Sequence, residues 1–93
     1  MEHMQKQFTL DFTNCSTLAE IYAIIKKELK LPEWFGENLS AFWDALTGMV
    51  QTPAVLTVHK KVANELLLPD VDKLIAIARR AEKEGYLTVA VIE

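Results

Sequence analysis

Glu37 and Asp44 stand seven residues apart in the stretch of this chain poorest in positive charge. Two carboxylates so placed admit two kinds of chemistry. Brought close in space, they form a general acid–base pair; left apart on a surface, they attract something cationic. Between Leu31 and His59 there is no lysine or arginine, and the only charges are Glu33, Glu37 and Asp44. The whole chain has 13 acidic and 10 basic residues, so without these three acids it balances at 10 against 10. The entire net charge of -3 therefore sits in one segment, which also holds both tryptophans, Trp34 and Trp43, and two of the three glycines. Carboxylates, tryptophan and glycine without lysine have the composition of a surface that binds a basic protein. The alternative is an accidental gap in charge on an ordinary helix–loop face. Catalysis finds less support, because an acid–base pair needs a concave apolar pocket and 93 residues leave little room to build one. The expectation is a protein that is not an enzyme.

Other chemistries fare worse. The three glycines are isolated, so no phosphate-cradling loop follows a strand. His3 and His59 are far apart and belong to no metal-ligand spacing, so neither cofactor nor metal is expected. Cys15 is the only cysteine and cannot form an internal disulfide, which fits a reducing compartment. It reads as a small residue in a turn. A pI near 5.3 speaks against nucleic acid as a direct ligand, since phosphate binding needs clustered cations. No apolar run approaches the ~18 residues of a membrane span, and MEHMQKQFTLDF lacks the basic head and apolar stretch of a leader peptide. A cytoplasmic protein, monomeric when free, is expected.

The elements that must position the acidic segment follow from periodicity. Residues 7–12 alternate as a strand. Thr17 and Glu20 have capping-box spacing and open a helix with Leu18, Ile21, Tyr22, Ile25 and Leu29 on one face, ended by Leu31-Pro32. Asn38 is a suitable N-cap for a second helix, Leu39 to Thr47, with Leu39, Phe42, Trp43 and Leu46 inward and Ser40, Asp44 and Thr47 outward. Gly48 is placed to close it in a left-handed cap. Residues 54–58 and 87–92 read as strands apolar on both sides. Between them, residues 60–67 predict a short helix bounded by Pro69, and Asp70 to Glu84 a longer one ending at Gly85. The fold class is α/β: a three-stranded parallel sheet packed by four helices, in the order β-α-α-β-α-α-β, as one domain spanning 1–93.

The run KKELKLPEWFGENLSAFWDALTG, Lys26 to Gly48, resembles the core motif of the barstar family, small intracellular inhibitors that plug the active site of a secreted ribonuclease. The motif is long and gap-free, and a weaker likeness extends over the whole chain. The resemblance implies a barstar-like fold, with a cis Thr52–Pro53 bond at the entry to the second strand. It also implies a stoichiometric inhibitor, an antitoxin or immunity protein, that fills a basic cleft with its second helix and the loop before it. Asp44 matches the family aspartate that imitates an RNA phosphate. Trp34, Asn38, Leu39, Trp43, Thr47 and Gly48 fall at or near contact positions, while Ser40 and Thr47 border the site rather than anchor it.

Departures from the motif bear on the partner. A second family aspartate is Ser40 here, a family tryptophan is Met49, and an acid two residues further on is Gln51. A glutamate of the last long helix is Arg80, although Glu84, one turn on, is kept. Each change removes acid or aromatic area, and Arg80 reverses sign. Weak inhibition of the family's usual ribonuclease is expected. Either a different basic ribonuclease or other cationic protein is the partner, or the fold serves as an interaction module whose partner is no nuclease.

Overall fold

The computed structural model describes residues 5–93; His3, and with it the expectation about His3, lies outside them. Three strands, β1 (Lys6–Asp11), β2 (Ala54–His59) and β3 (Thr88–Ile92), form a parallel sheet in the order β1-β2-β3. Each strand lies beside the next in sequence, so successive right-handed crossovers put every helix on the same face. That face carries Leu10, Leu56, Val58 and Val89, all buried. The other presents Gln7, Thr9, Thr88 and Ala90, all exposed, together with Ile92 at 46 % exposure. The reading of β2 as a buried strand is thus corrected in part: Ala54, Leu56 and Val58 are buried, whereas Val55, Thr57 and His59 on the other face are half-buried. Two-sided apolarity reflects strand propensity here, not two covering layers.

There are three α-helices rather than four: α1 (Leu18–Glu28), α2 (Leu39–Asp44) and α3 (Leu68–Lys83). The helix expected over 60–67 is absent. Glu65–Leu67 makes one 3-10 turn, capped by Asn64 through the Leu66 N–H at 3.0 Å, and runs straight into α3. Pro69, read from sequence as a boundary, lies in the first turn of α3. A missing N–H costs nothing there, and the fixed φ suits a helix start. The order is therefore β-α-α-β-α-β.

α1 opens as expected. Thr17 Oγ1 accepts the Glu20 N–H at 3.2 Å, while Glu20 Oε1 accepts the N–H groups of Ser16 and Thr17 at 2.7 and 3.1 Å. Its end is less ordinary. Lys30 adopts φ 56, its N–H donating to Lys27 O and that of Leu31 to Lys26 O, which is a Schellman cap with lysine in the left-handed position. α3 ends in the same pattern with Gly85 at φ 91. Thr52–Pro53 is cis, as the resemblance implies.

α2 departs from expectation at its end. Its α-helical bonds stop at Asp44, and Ala45–Met49 widens into a π turn in which the Val50 N–H donates to Ala45 O at 2.9 Å. Gly48 sits inside this turn and is not left-handed, so it does not cap the helix as expected. The widening keeps Ala45 and Leu46 in the core beside Phe42 and sets Gly48 and Met49 at the surface. Together with Leu74 and Ala78 of α3, these side chains weld α2 to the rest of the molecule.

β3 is an edge strand, and α3 covers that edge at Val89. Glu82 Oε2 accepts the Val89 N–H at 2.9 Å, Arg79 donates to Val89 O at 2.9 Å, and the two side chains pair at 3.1 Å. An open edge would template association with another strand.

Candidate functional site

The loop 31–38 and α2 hold the acidic segment, whose three acids part company: Glu33 lies among Lys26, Lys27 and Lys30, Glu37 lines a cleft with Asp70, and Asp44 one with Arg80. Asn38 fixes where α2 begins: its Oδ1 accepts the Ala41 N–H at 2.7 Å. Gly36 makes room for it, since a Cβ at residue 36 would stand 3.0 Å from Asn38 Nδ2. Trp34 stands out from the loop at 74 % exposure, which has no packing explanation. Its neighbour Glu33 is held to Lys26 at 2.9 Å.

Two of the three residues expected outward are outward; Thr47, half-buried in the π turn beyond α2, is not. Ser40 and Asp44 are exposed, and Thr47 Oγ1 donates to Trp43 O at 2.9 Å, which fixes the entry to the π turn. Trp43 is only half in the core. Tyr86 meets it edge-on at 6.3 Å between ring centroids, and the Arg80 guanidinium lies over its face at 4.7 Å. Arg80 Nε also donates to Glu84 Oε2 at 3.3 Å, so a cation–π contact and a surface ion pair together orient one guanidinium. An open cavity of about 300 Å³ results, lined by Leu39, Ser40, Trp43, Asp44, Ile77 and Arg80.

Leu39, Ser40, Trp43, Asp44 and Arg80 thus come together, with Glu84 behind Arg80. Met49 does not join them. It lines a separate depression with Gln51, Leu29 and Phe8, beside the end of α1. Ile77 and Tyr86 were not expected at the site. Ile77 falls on the helical stripe of α3 and could have been placed from it; Tyr86, beyond Gly85, gives no such signal. The cation-free segment also proves to be no cation-free surface, because packing of α3 on α2 brings Arg80 alongside Asp44. The result is a bipolar face, with one acid, Asp44, at the end of α2 and one cation, Arg80, at the α3 border.

Residues 5–90 match the family described as Barstar (barnase inhibitor). The chain belongs to the barstar family. It is also 32 % identical over 75 residues to the Bacillus subtilis (strain 168) protein named "Putative ribonuclease inhibitor YrdF", a match covering 80 % of this chain and 79 % of that protein. The three-stranded parallel α/β architecture is consistent with the family, and the family's description and the relative's name both speak of an inhibitor. Within this barstar-family chain, the elements that carry the motif are the loop before α2, α2 and its π turn.

Proposed function

We propose that this chain is a stoichiometric inhibitor of a basic ribonuclease, acting in the cytoplasm as an antitoxin or immunity protein without catalysis of its own. The observation that carries this reading is Asp44, exposed on α2 at the rim of the Trp43–Arg80 cavity, within a barstar-family motif. Asp44 enters the enzyme's phosphate-binding cations, with Leu39 and Trp43 beside it and Trp34, Thr47 and Gly48 around it. Opposed potentials make association fast and salt-sensitive.

Arg80 selects the partner. A nuclease surface complementary to an unbroken acidic patch meets a like charge there, which costs several kcal/mol. The cognate enzyme instead presents a neutral or acidic group opposite Arg80. The alternative, a barstar-like module docking a protein that is no nuclease, uses the same face.

Capture of the partner on immobilised chain, followed by titration of RNA hydrolysis, tests the reading. The expected result is a 1:1 end point, with inhibition by Asp44→Ala weakened at least about a hundredfold. A captured partner without ribonuclease activity would move the function to the alternative. Against barnase, the wild type should inhibit weakly and Ser40→Asp/Arg80→Glu more strongly. No gain in the double variant would show that these charges do not set the preference.

A further inference from the structure

Beside the Asp44 face lies a second cleft, of about 380 Å³, between α1 and the N-terminal ends of α2 and α3. Its walls include Leu18, Tyr22, Glu37, Asn38, Asp70 and Lys73. Leu39 and Ser40 line it too, and they also line the cavity beside Asp44, so the two depressions adjoin across the first turn of α2.

Tyr22 is what distinguishes this cleft from a chance meeting of acids. Its ring is packed on Phe35 at 6.5 Å between centroids and only 4 % of the residue is exposed. Yet its hydroxyl has no hydrogen-bond partner among the described residues, and it is not sealed from solvent but opens into the cleft. The ring is buried but the O–H is left to water at the cleft, free to pair with a donor that enters it. The nearby groups are carboxylates: burial, then Asp70, then Glu37 push the Tyr22 hydroxyl above the usual phenol range. Lys73, the one cation on the rim, forms no ion pair with either acid.

We propose that this cleft receives one lysine or arginine side chain of the protein docked on α2, its cation between Glu37 and Asp70 and one of its N–H groups donated to the Tyr22 hydroxyl. The proposal rests on the docking reading above and extends it by a second cationic subsite. Leu18 and Leu39 offer apolar wall for the aliphatic stem, which long cationic side chains bury while the charge reaches a polar partner. Two carboxylates against Lys73 leave the cleft net negative, and the shared wall of Leu39 and Ser40 places it within reach of whatever covers Asp44. The partner therefore carries two cationic features, a cluster for Asp44 and a single projecting side chain for Tyr22.

Amide NMR titration with Nα-acetyl-L-arginine amide and Nα-acetyl-L-lysine amide tests the cleft without any partner, the norleucine analogue serving as neutral control. The expected result is saturable binding of about millimolar strength, with shifts centred on Tyr22, Asn38 and Ser40. Glu37→Gln/Asp70→Asn should abolish these shifts. Tyr22→Phe, which keeps the ring, should weaken binding severalfold, and melting curves establish that each variant is folded. Non-saturating shifts spread over all acids, or shifts unchanged in the variants, would overturn the proposal. A second arm separates this inference from the one beneath it by using the ribonuclease that the chain inhibits. Weaker inhibition with both Asp44→Ala and Glu37→Gln/Asp70→Asn supports the cleft. An effect of Asp44→Ala alone would overturn the cleft and leave the docking reading standing, whereas no effect of either would overturn both.

Discussion

Arg79 and Arg80 are neighbours in sequence and do opposite things. Arg79 turns to the β3 edge, where it and Glu82 occupy both backbone groups of Val89. Arg80 turns to α2, where it lies over Trp43 and holds Glu84 by a single nitrogen, with the rest of the guanidinium facing an open cavity. At Val89 on the β3 edge, polar groups satisfy one another and occupy backbone sites that another strand would use. On the α2–α3 face, charges are oriented but their bonding capacity is left for something outside. The contrast locates where a molecule with an open sheet face and an edge strand remains available to a partner, and it can be broken experimentally.

The largest stability effect belongs to the closed region. Glu82→Ala leaves the Val89 N–H and Arg79 without their charged partner, a loss of ~2 kcal/mol for bonds to a charged group. Melting should fall by about 10 °C, with concentration-dependent self-association by light scattering as the edge opens. Asp44→Ala should lower melting by less than about 5 °C, because its side chain is exposed and contributes no bond to the fold. The reverse ranking would dissolve the contrast.

The acid limb of stability sharpens it. Accepting the Val89 N–H, and then pairing with Arg79, holds the Glu82 carboxyl below its usual range. Glu20 is lowered by the Ser16 and Thr17 N–H groups, and Asp11 by the hydroxyl and N–H of Thr13. In each case the folded state binds its proton less readily than the unfolded chain. The stabilisation is therefore fully present above the unfolded value, near 4.5 for Glu82, and is lost as pH falls through the lower folded value. Glu82→Gln should flatten the melting-versus-pH curve below about pH 5. An unchanged slope would show that the edge is not held by the ionised carboxylate.

How much of this was legible depended on whether a residue's reason was local. The capping box at Thr17 and Glu20, the Asn38 cap and the Gly85 stop are set by a few adjacent backbone groups, and sequence spacing located them. The fourth helix was not local: Pro69 both stops and starts helices, and only the direct run from Glu65–Leu67 into α3 decides which. The π turn escaped because Gly48 fits a left-handed cap equally well. At the site, the outward placement of Ser40 and Asp44 followed from helical period, which the π turn breaks before the half-buried Thr47. The contacts of Trp43 with Arg80 and Tyr86 depend on how α3 packs on α2, and no spacing encodes that.

Lys30 offers the next smaller effect. A left-handed lysine carries strain that glycine lacks, partly offset by the greater freedom of glycine in the unfolded chain. Lys30→Gly should raise stability by ~0.5–1 kcal/mol, a few degrees of melting temperature, bringing the end of α1 level with that of α3. Smallest of all is Arg80→Ala. Its exposed pair with Glu84 is worth ~0.3 kcal/mol, so melting should barely move while Trp43 emission shifts to the red as its covering cation is removed. A drop as large as that of Glu82→Ala would make Arg80 structural.

The most direct test of the docking face is amide-shift mapping of the labelled chain on addition of the ribonuclease it inhibits. The account predicts that perturbation concentrates on residues 34–48 and on the Ile77–Glu84 flank of α3, while β3 and its Val89 edge stay unchanged. Perturbation centred on β3 or the open sheet face, with Asp44 and Trp43 undisturbed, would contradict it.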